Sequence, residues 1–170
     1  MLYLQYLDLI LKPGLKALQL DTPGMAMLVA GTVAHESKGG LYIKQVEGPA
    51  LGICQMEQTT HDSIWNSYLP NQANITNKLM NLCRFSRKPD AEQLVSNLLY
   101  STVMCAILYK WRMDARKTAY PQTLEQAAQI WKEHFNTVNG KGTVEEFIDD
   151  YRKWCEPNTK PIKPAKAMAA

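Results

Sequence analysis

The sequence predicts a mainly α-helical single domain with at most a small hairpin. Apolar residues recur at helical spacing along most of the chain, and two stretches, Met25 to His35 and Leu94 to Tyr109, are apolar on nearly every face. Such stretches are typical of helices buried at the centre of a domain. The length of 170 residues fits one compact domain, which we place at residues 1–155.

The N-terminal part predicts two short helices and the first central helix. The opening apolar helix is expected to end at Pro13 and Gly14, before a second short helical stretch. Thr22 is a favourable N-cap for the central helix, and Pro23 suits the first helical position because its missing N–H costs nothing there. The central helix is expected to end at Ser37 and the glycines after it, before an irregular loop with room for a hairpin.

Capping signals predict the remaining helices. One helix is expected to begin at Thr59 or Thr60. Asp90 is expected to open the second central helix, which runs unbroken to about Met113. Capping-box patterns at Thr123 and Thr143 each precede a stripe of apolar residues, which indicates two amphipathic helices.

Composition and charge exclude several functional classes. A net charge of +3 and a pI near 8.6 are far from the strongly basic balance of a dedicated nucleic-acid binder. The 4 cysteines show no Cys-x-x-Cys spacing, so we expect free, mostly buried thiols, no metal site and no cofactor. Free cysteines suit synthesis in a reducing cytoplasm. The apolar N-terminus is expected to be too short to span a bilayer, and it lacks the basic leader of a secretory signal. Residues 156–170 are rich in Pro and Lys and predict a flexible tail.

Glu36 is the candidate catalytic residue. It ends an apolar helix, so burial and the partial negative charge at the helix C-terminus should both raise the pKa of its carboxyl group. A carboxylic acid that stays protonated near neutral pH is able to donate a proton to a leaving oxygen, as cleavage of a glycosidic bond requires. The alternative is a glutamate that turns outward into solvent at the helix end.

The segment after Glu36 carries a family resemblance. Glu36-Ser37, followed by the run Gly48-Pro-Ala-Leu-Gly-Ile-Cys-Gln-Met56, resembles the signature of lytic transglycosylases and goose-type lysozymes. In that signature a Glu-Ser pair precedes a Gly-Ala-x-Gly-Leu-Met-Gln-hydrophobic segment. The segments 35–69 and 131–148 also look like uncharacterised phage proteins grouped with that superfamily. The resemblance implies a lysozyme-like catalytic domain that cleaves the MurNAc–GlcNAc bonds of peptidoglycan strands.

The resemblance assigns roles to four positions near the acid. Glu36 matches the catalytic acid, while Gly52 and Gln55 match the Gly and Gln of a loop that lines the saccharide cleft opposite it. Met56 falls on the hydrophobic position after that Gln, where it packs under a sugar or within the core. The chain departs from the pattern by one extra residue before Gly52, by Ile-Cys in place of Leu-Met, and by Gln58 where Pro is usual.

Two further assignments rest on looser matches. Asn136 echoes the Asn of a later Tyr-Asn-Ala-Gly element. A buried tyrosine of the long helix commonly faces the acid in this family, which makes Tyr100 or Tyr109 a candidate for substrate contact, or else a core residue. His35, His61 and His134 lack metal-ligand spacing, so we expect them to be structural.

The number of carboxylates in the site decides the reaction. A hydrolase with two acids needs a partner for Glu36, and Glu47, Glu57 and Asp62 are available, although each is expected to be a solvated surface residue. With one acid, Glu36 first protonates the glycosidic oxygen and then removes the proton of the sugar's own C6 hydroxyl, which closes an anhydro ring. We therefore favour a single-Glu transglycosylase over a hydrolase.

Two other functions compete with this prediction. One is a non-catalytic structural virion protein that keeps a lysozyme-like fold. The other is an enzyme that cleaves a related N-acetylated polymer such as chitin. If the protein is a peptidoglycan-degrading enzyme of phage type, the expected partners are the glycan strands and other virion proteins, not nucleic acid. The expected place of action is the bacterial cell wall, reached either inside the virion or during lysis.

Overall fold

The computed structural model describes residues 3–136 and 140–156, and within these residues the chain is mainly helical. The elements in chain order are α1 (Tyr3–Tyr6), α2 (Lys12–Leu18), α3 (Pro23–Glu36), β1 (Ala50–Leu51), β2 (Met56–Glu57), α4 (Gln58–Ser63), α5 (Ala73–Cys83), α6 (Gln93–Ser96), α7 (Leu98–Arg116), α8 (Leu124–Trp131) and α9 (Val144–Cys155). The mainly α-helical class is thereby confirmed. The predicted flexible tail lies outside the described residues, apart from Glu156.

Wider or tighter helical turns extend several of these helices. Leu7–Leu11 forms a π-helical link between α1 and α2, and Ile64–Tyr68 and Lys132–Asn136 continue α4 and α8 in the same way. Leu69–Asn71 adds a 3-10 turn after the second of these segments. The continuous helical segments are therefore longer than the α-helical bounds alone.

Helix α3 lies at the centre of the fold. The Thr22 hydroxyl accepts a hydrogen bond from the backbone N–H of Met25 (3.1 Å), and Pro23 occupies the first turn, as predicted. Residues Leu28, Val29 and Val33 are fully buried. Helix α3 packs against α7, α8 and α9, so its apolar side chains are buried on nearly every face.

The first helix does not end at Pro13 and Gly14, so that expectation is wrong. The backbone N–H of Lys12 bonds the carbonyl of Leu7 in a π turn, which lies just before Pro13, and Pro13 then sits in the first turn of α2. A proline in a first turn loses no hydrogen bond. A Cβ at Gly14 would approach the side chains of Leu99 and Val103 to 3.0 Å, so this glycine permits close packing on α7 rather than ending a helix.

The second central helix is divided, whereas an unbroken helix from Asp90 was expected. Short helix α6 ends at Ser96, and the Asn97 side chain accepts a hydrogen bond from the backbone N–H of Tyr100 (3.0 Å) as the N-cap of α7. Asparagine favours caps because its side chain replaces a backbone acceptor at the helix start. The following part of α7, from Tyr100 to Tyr109, is buried throughout, as predicted for a central helix.

The loop after α3 contains the expected small hairpin. Strands β1 and β2 pair antiparallel, with Ala50 opposite Glu57 and Leu51 opposite Met56. Helix α4 follows β2 directly and begins at Gln58, slightly before the predicted cap. The hairpin therefore lies at the end of the loop that follows α3 and directly precedes α4.

Helices α8 and α9 cover α3 from the C-terminal part of the chain. The ring of Phe147 from α9 stacks on the ring of Trp131 from α8, with centroids 5.1 Å apart. A Cβ at Gly31 would collide with the Phe147 ring, so this glycine lets α9 approach the middle of α3 closely. The three helices thus meet at one aromatic contact.

The capping boxes predicted for these two helices differ in completeness. At Thr143 the box is complete, because its hydroxyl accepts from Glu146 N–H and the Glu146 carboxylate accepts from Thr143 N–H. At Thr123 only one of the two hydrogen bonds forms, the one from the Gln126 N–H to the Thr123 hydroxyl. The Gln126 side chain accepts from the N–H of Gln122 rather than from that of Thr123.

All four cysteines are free thiols, as predicted, and Cys54 and Cys105 are fully buried. Burial raises the pKa of Cys83 to about 11 and that of Cys155 to about 12. Among the described residues, no helix combines the length and the apolar character needed to cross a membrane.

Candidate functional site

Glu36 is the last residue of α3 and is mostly buried. Its side-chain oxygen Oε1 accepts a hydrogen bond from the indole N–H of Trp131 (3.1 Å). Burial raises the pKa of Glu36 to about 7, against the smaller lowering effects of the Trp131 hydrogen bond and the Lys38 charge. Near neutral pH this side chain is therefore partly protonated, so it is able both to give and to take a proton.

A network from α9 holds Trp131 in place. The indole packs between the Phe147 ring and the edge of the His35 ring, whose centroid lies 4.6 Å away. His35 Nδ1 in turn lies 2.9 Å from the Asp150 carboxylate, which also accepts a hydrogen bond from Lys38 (2.9 Å). Burial lowers the pKa of His35, against the raising effect of the Asp150 carboxylate. His35 thus packs between Trp131 and Asp150, as expected for a structural histidine.

Glu36 opens onto a cavity of about 410 Å³. Its walls come from α3, from the hairpin and from the segment after α8, and the lining residues are Glu36, Gln45, Ala50, Gln55, Glu57, Phe135, Asn136 and Gly140. The lining contains two carboxylates, three side-chain amides and one aromatic ring. Amides that both donate and accept, beside an aromatic ring, suit the hydroxyl groups and apolar faces of a sugar.

Gln55 lies on this cavity, as the family resemblance implies. Its backbone is in the left-handed region (φ 48°), and its side-chain Nε2 donates to the carbonyl of Gly52 (2.7 Å). Residues other than glycine are uncommon at positive φ and recur at functional sites. The hydrogen bond holds the Gln55 amide in one position beside the cavity.

Gly52 and Met56 occupy different places from Gln55. Gly52 is buried, and a Cβ there would collide with the Leu94 carbonyl and the Ser101 hydroxyl. Gly52, with φ at 72°, therefore allows the hairpin to pack on α6 and α7 and does not line the cavity at Glu36. Met56 is buried and lines a neighbouring cavity of about 230 Å³.

Asn136 lines both cavities. Its side-chain oxygen accepts a hydrogen bond from Lys132 Nζ (2.8 Å), and Lys132 also donates to the carbonyls of Gly140 (2.7 Å) and Gly142 (2.8 Å). Lys132 therefore links Asn136 to Gly140 and Gly142 through hydrogen bonds beside the cavity.

The two candidate tyrosines do not line the cavity at Glu36. Tyr100 is fully buried, and its hydroxyl accepts from the Trp65 indole (2.7 Å) and bonds His61 Nε2 (2.7 Å). Tyr109 is also fully buried, and its hydroxyl bonds the Thr32 hydroxyl (2.6 Å), one turn before Glu36 on α3. Both residues therefore have core contacts, and the structure does not bring Tyr100 to the acid.

Of the three carboxylates weighed as partners for Glu36, Glu57 lines the same cavity. Glu57 is exposed, and its carboxylate accepts a hydrogen bond from the Thr59 hydroxyl (3.3 Å). Asp62 instead pairs with Lys88 (2.7 Å), and Glu47 is an exposed loop residue that lines neither this cavity nor its neighbour.

The other histidines are buried and hydrogen-bonded. His61 bonds Tyr100 and lies 3.2 Å from Asp62, and His134 lies 3.3 Å from the Thr118 hydroxyl. Within residues 3–136 and 140–156, no group of three His, Cys, Asp or Glu side chains is arranged to hold a metal ion.

Sequence reasoning missed the role of Trp131. The apolar stripe of α8 placed it among core residues, and it is indeed buried, but its indole N–H is the donor to Glu36. No local pattern signals this contact, because 95 positions separate the two residues. Gln45 and Phe135 were also missed as cavity residues.

Comparison with known proteins returns no match, whether with family models, with curated proteins or with solved structures. The function is therefore inferred from the chemistry of the site.

Proposed function

We propose that this protein is a muramidase that cleaves the MurNAc–GlcNAc bonds of peptidoglycan strands, with Glu36 as its acid and base. One observation carries the proposal: a mostly buried glutamate, with its pKa raised to about 7, lies on a cavity lined by Gln45, Gln55 and Asn136. Cleavage of a glycosidic bond needs a carboxylic acid that is protonated near neutral pH, and burial supplies it. The family resemblance of the Glu36 and Gln55 segments, with the lysozyme-like fold that it implies, supports the same conclusion.

In the first step, the protonated Glu36 donates its proton to the glycosidic oxygen while the bond from that oxygen to C1 breaks. The leaving sugar departs with a free hydroxyl group, and positive charge develops on the ring that remains. The carboxylate left on Glu36 stabilises this charge, and the Trp131 hydrogen bond fixes the side chain on one side.

In the second step, the C6 hydroxyl of the remaining sugar attacks C1, and Glu36 takes up its proton. The product is a 1,6-anhydro ring, and Glu36 is again protonated. The reaction therefore needs neither water nor a second carboxylate. We favour this transglycosylase reaction because a single buried acid suffices for both proton transfers.

A hydrolase is the second candidate, and Glu57 is the observation that favours it. Its carboxylate lies on the cavity that Glu36 lines, and in a hydrolase it would activate a water or stabilise the charged ring. A hydrolase leaves a reducing end and a transglycosylase leaves an anhydro end. Mass analysis of the released fragments therefore separates the two reactions.

The experiment compares Glu36→Gln, Glu57→Gln and Glu47→Gln with the parent protein on purified peptidoglycan. Glutamine at position 36 keeps the acceptor for Trp131 but has no proton to donate, so cleavage should fall by roughly 10²–10⁴-fold. Glu47→Gln is the matched control, because it removes one exposed carboxylate outside the cavity. Anhydro ends with full activity of Glu57→Gln would support the transglycosylase.

Other outcomes would redirect the proposal. Peptidoglycan clearing by a folded Glu36→Gln variant would refute Glu36 as the acid. No cleavage by the parent protein, together with its detection by mass spectrometry in purified virions, would favour the non-catalytic virion component. Faster cleavage of chitin oligomers than of peptidoglycan would assign the site to that polymer.

A further inference from the structure

The cavity at Glu36 is one end of a longer groove. The second cavity, of about 230 Å³, shares four lining residues with the first, namely Gln55, Glu57, Phe135 and Asn136. A third cavity, of about 430 Å³, shares Thr60 and Arg112 with the second. These three adjoining cavities, called the groove below, extend from the end of α3 to the surface between α4 and α7.

The end of this groove far from Glu36 is positively charged. Glu36 and Glu57 line the first cavity, whereas Arg112 and Arg116 line the third, whose remaining lining residues are uncharged. Among the described parts of the chain, neither arginine forms an ion pair with a carboxylate. Burial and the nearby charge of Arg116 lower the pKa of Arg112, so the two guanidinium groups disfavour each other. An anion between them would relieve that repulsion.

Backbone carbonyls hold both guanidinium groups in place. The Nη1 atom of Arg112 donates to the carbonyl of His134, and that of Arg116 donates to the carbonyl of Glu133 (3.1 Å). Each guanidinium has five N–H donors, so most of them remain for a ligand. A planar fork of donors fixed in this way matches the two oxygens of a carboxylate.

We propose that Arg112 and Arg116 form a carboxylate-binding subsite, which receives the acidic peptide branches of a glycan strand lying in the groove. The inference rests on the proposed function, because Glu36 defines where the strand is cut. An uncharged strand such as chitin has no carboxylate for these two arginines to bind. Peptidoglycan carries carboxylates on its peptide branches. Trp111 and the hydroxyl groups of Thr59, Thr60 and Ser63 line the same cavity and suit the rest of such a branch.

The test measures binding by calorimetry, with the full chain carrying Glu36→Gln so that no strand is cut. The probes are a disaccharide-peptide fragment with free carboxylates, the same fragment with its carboxylates amidated, and a chitin oligomer. We expect the free carboxylates to improve affinity about tenfold over the amidated fragment, as for charge-assisted hydrogen bonds. Arg116→Gln should abolish most of that preference, and Arg112→Lys should reduce it by removing the fork.

Lys117→Gln is the matched control. It removes one positive charge next to Arg116 from a residue that is exposed and lines none of the three cavities. It should keep the tenfold preference. Circular dichroism of each variant separates loss of binding from loss of folding.

Two results would overturn the subsite: an equal affinity of the Glu36→Gln protein for the free and amidated fragments, or an unchanged preference when Arg116→Gln is added to it. Tighter Arg116-dependent binding of inorganic phosphate than of the free carboxylates would also overturn it, since the ligand would then be a phosphate. Cleavage assays keep the two proposals apart. If the parent protein cuts strands but free carboxylates do not improve affinity, only the subsite is refuted. If affinity for carboxylates depends on Arg116 but the parent cuts no glycan, only the muramidase is refuted.

Discussion

At the scale of single residues, the burial of Glu36 makes the stability of the fold depend on pH. A carboxyl group that has a pKa of about 7 when folded and about 4.5 when unfolded binds more protons in the folded state between these pH values. The free energy of unfolding therefore falls as pH rises through this window, and the lost part stays lost above pH 7. The same burial that keeps the acid protonated costs the folded state stability once the acid ionises.

Glu36→Gln should for this reason be more stable than the parent at pH 8, by ~3 kcal/mol on the basis of the pKa shift. The glutamine keeps the Trp131 hydrogen bond but carries no charge to bury. At pH 4 the two proteins should have nearly equal stability, because Glu36 is then protonated in both states. Urea unfolding at the two pH values measures the difference. A variant that is less stable than the parent at pH 8 would contradict the buried charge.

Trp131→Phe tests the orienting hydrogen bond of the acid. Phenylalanine keeps the stacking on Phe147 but has no N–H to donate to Glu36. Since that bond lowers the pKa of Glu36, its loss should raise the pKa further, and the alkaline limb of the kcat/KM profile should move to higher pH. Stability should fall by about 1 kcal/mol through the lost hydrogen bond. A lower activity with an unmoved alkaline limb would assign Trp131 a packing role alone.

At the scale of helices, the contact of α3 with α9 depends on Gly31. In an open helix, Gly→Ala stabilises by roughly 0.5–1 kcal/mol. Here the new Cβ would enter the Phe147 ring, and overpacking of a buried contact costs about 1–3 kcal/mol. We therefore expect Gly31→Ala to lower the free energy of unfolding and, through Trp131, to lower activity as well.

A double-mutant cycle checks this explanation. In a Phe147→Leu background the ring atoms that meet the new Cβ are absent, so Gly31→Ala should cost less there than in the parent. Equal costs in both backgrounds would show that the clash with Phe147 does not explain the effect. Urea unfolding of the four proteins supplies the comparison.

Local rules predicted helix starts well and helix interruptions poorly. Thr22 and Thr143 cap their helices as expected, because a cap is satisfied by atoms within one turn. Pro13 and Asn97 were misjudged. Whether a proline ends a helix or begins one depends on the π turn before it. Asn97 is a local cap like the two threonines, but it stands inside a continuous apolar stretch that predicts one helix.

At the scale of the whole molecule, the sequence predicted the burial of Glu36 but not the side chains that surround it. The apolar run before Glu36 was enough to predict a buried helix end, and the motif placed Gln55 on the same cavity. The indole donor Trp131 and the far arginine Arg112 come from α8 and α7, and no nearby pattern ties either to Glu36. Gly52 was assigned to the cleft from the motif, whereas the close approach of α6 and α7 accounts for its position.

The hydrogen bond between Glu36 and Trp131 also sets an order of events during synthesis. Since 95 positions separate the two residues, a ribosome working at about 5–20 residues per second makes the indole roughly 5–20 s after the glutamate. Phe147, which supports the indole, follows later still. Until then α3 lacks the cover that α8 and α9 give it in the folded protein. The surroundings of Glu36 are therefore complete only when the last helix packs on α3, and a chain that stops before residue 131 lacks the donor to its carboxyl group.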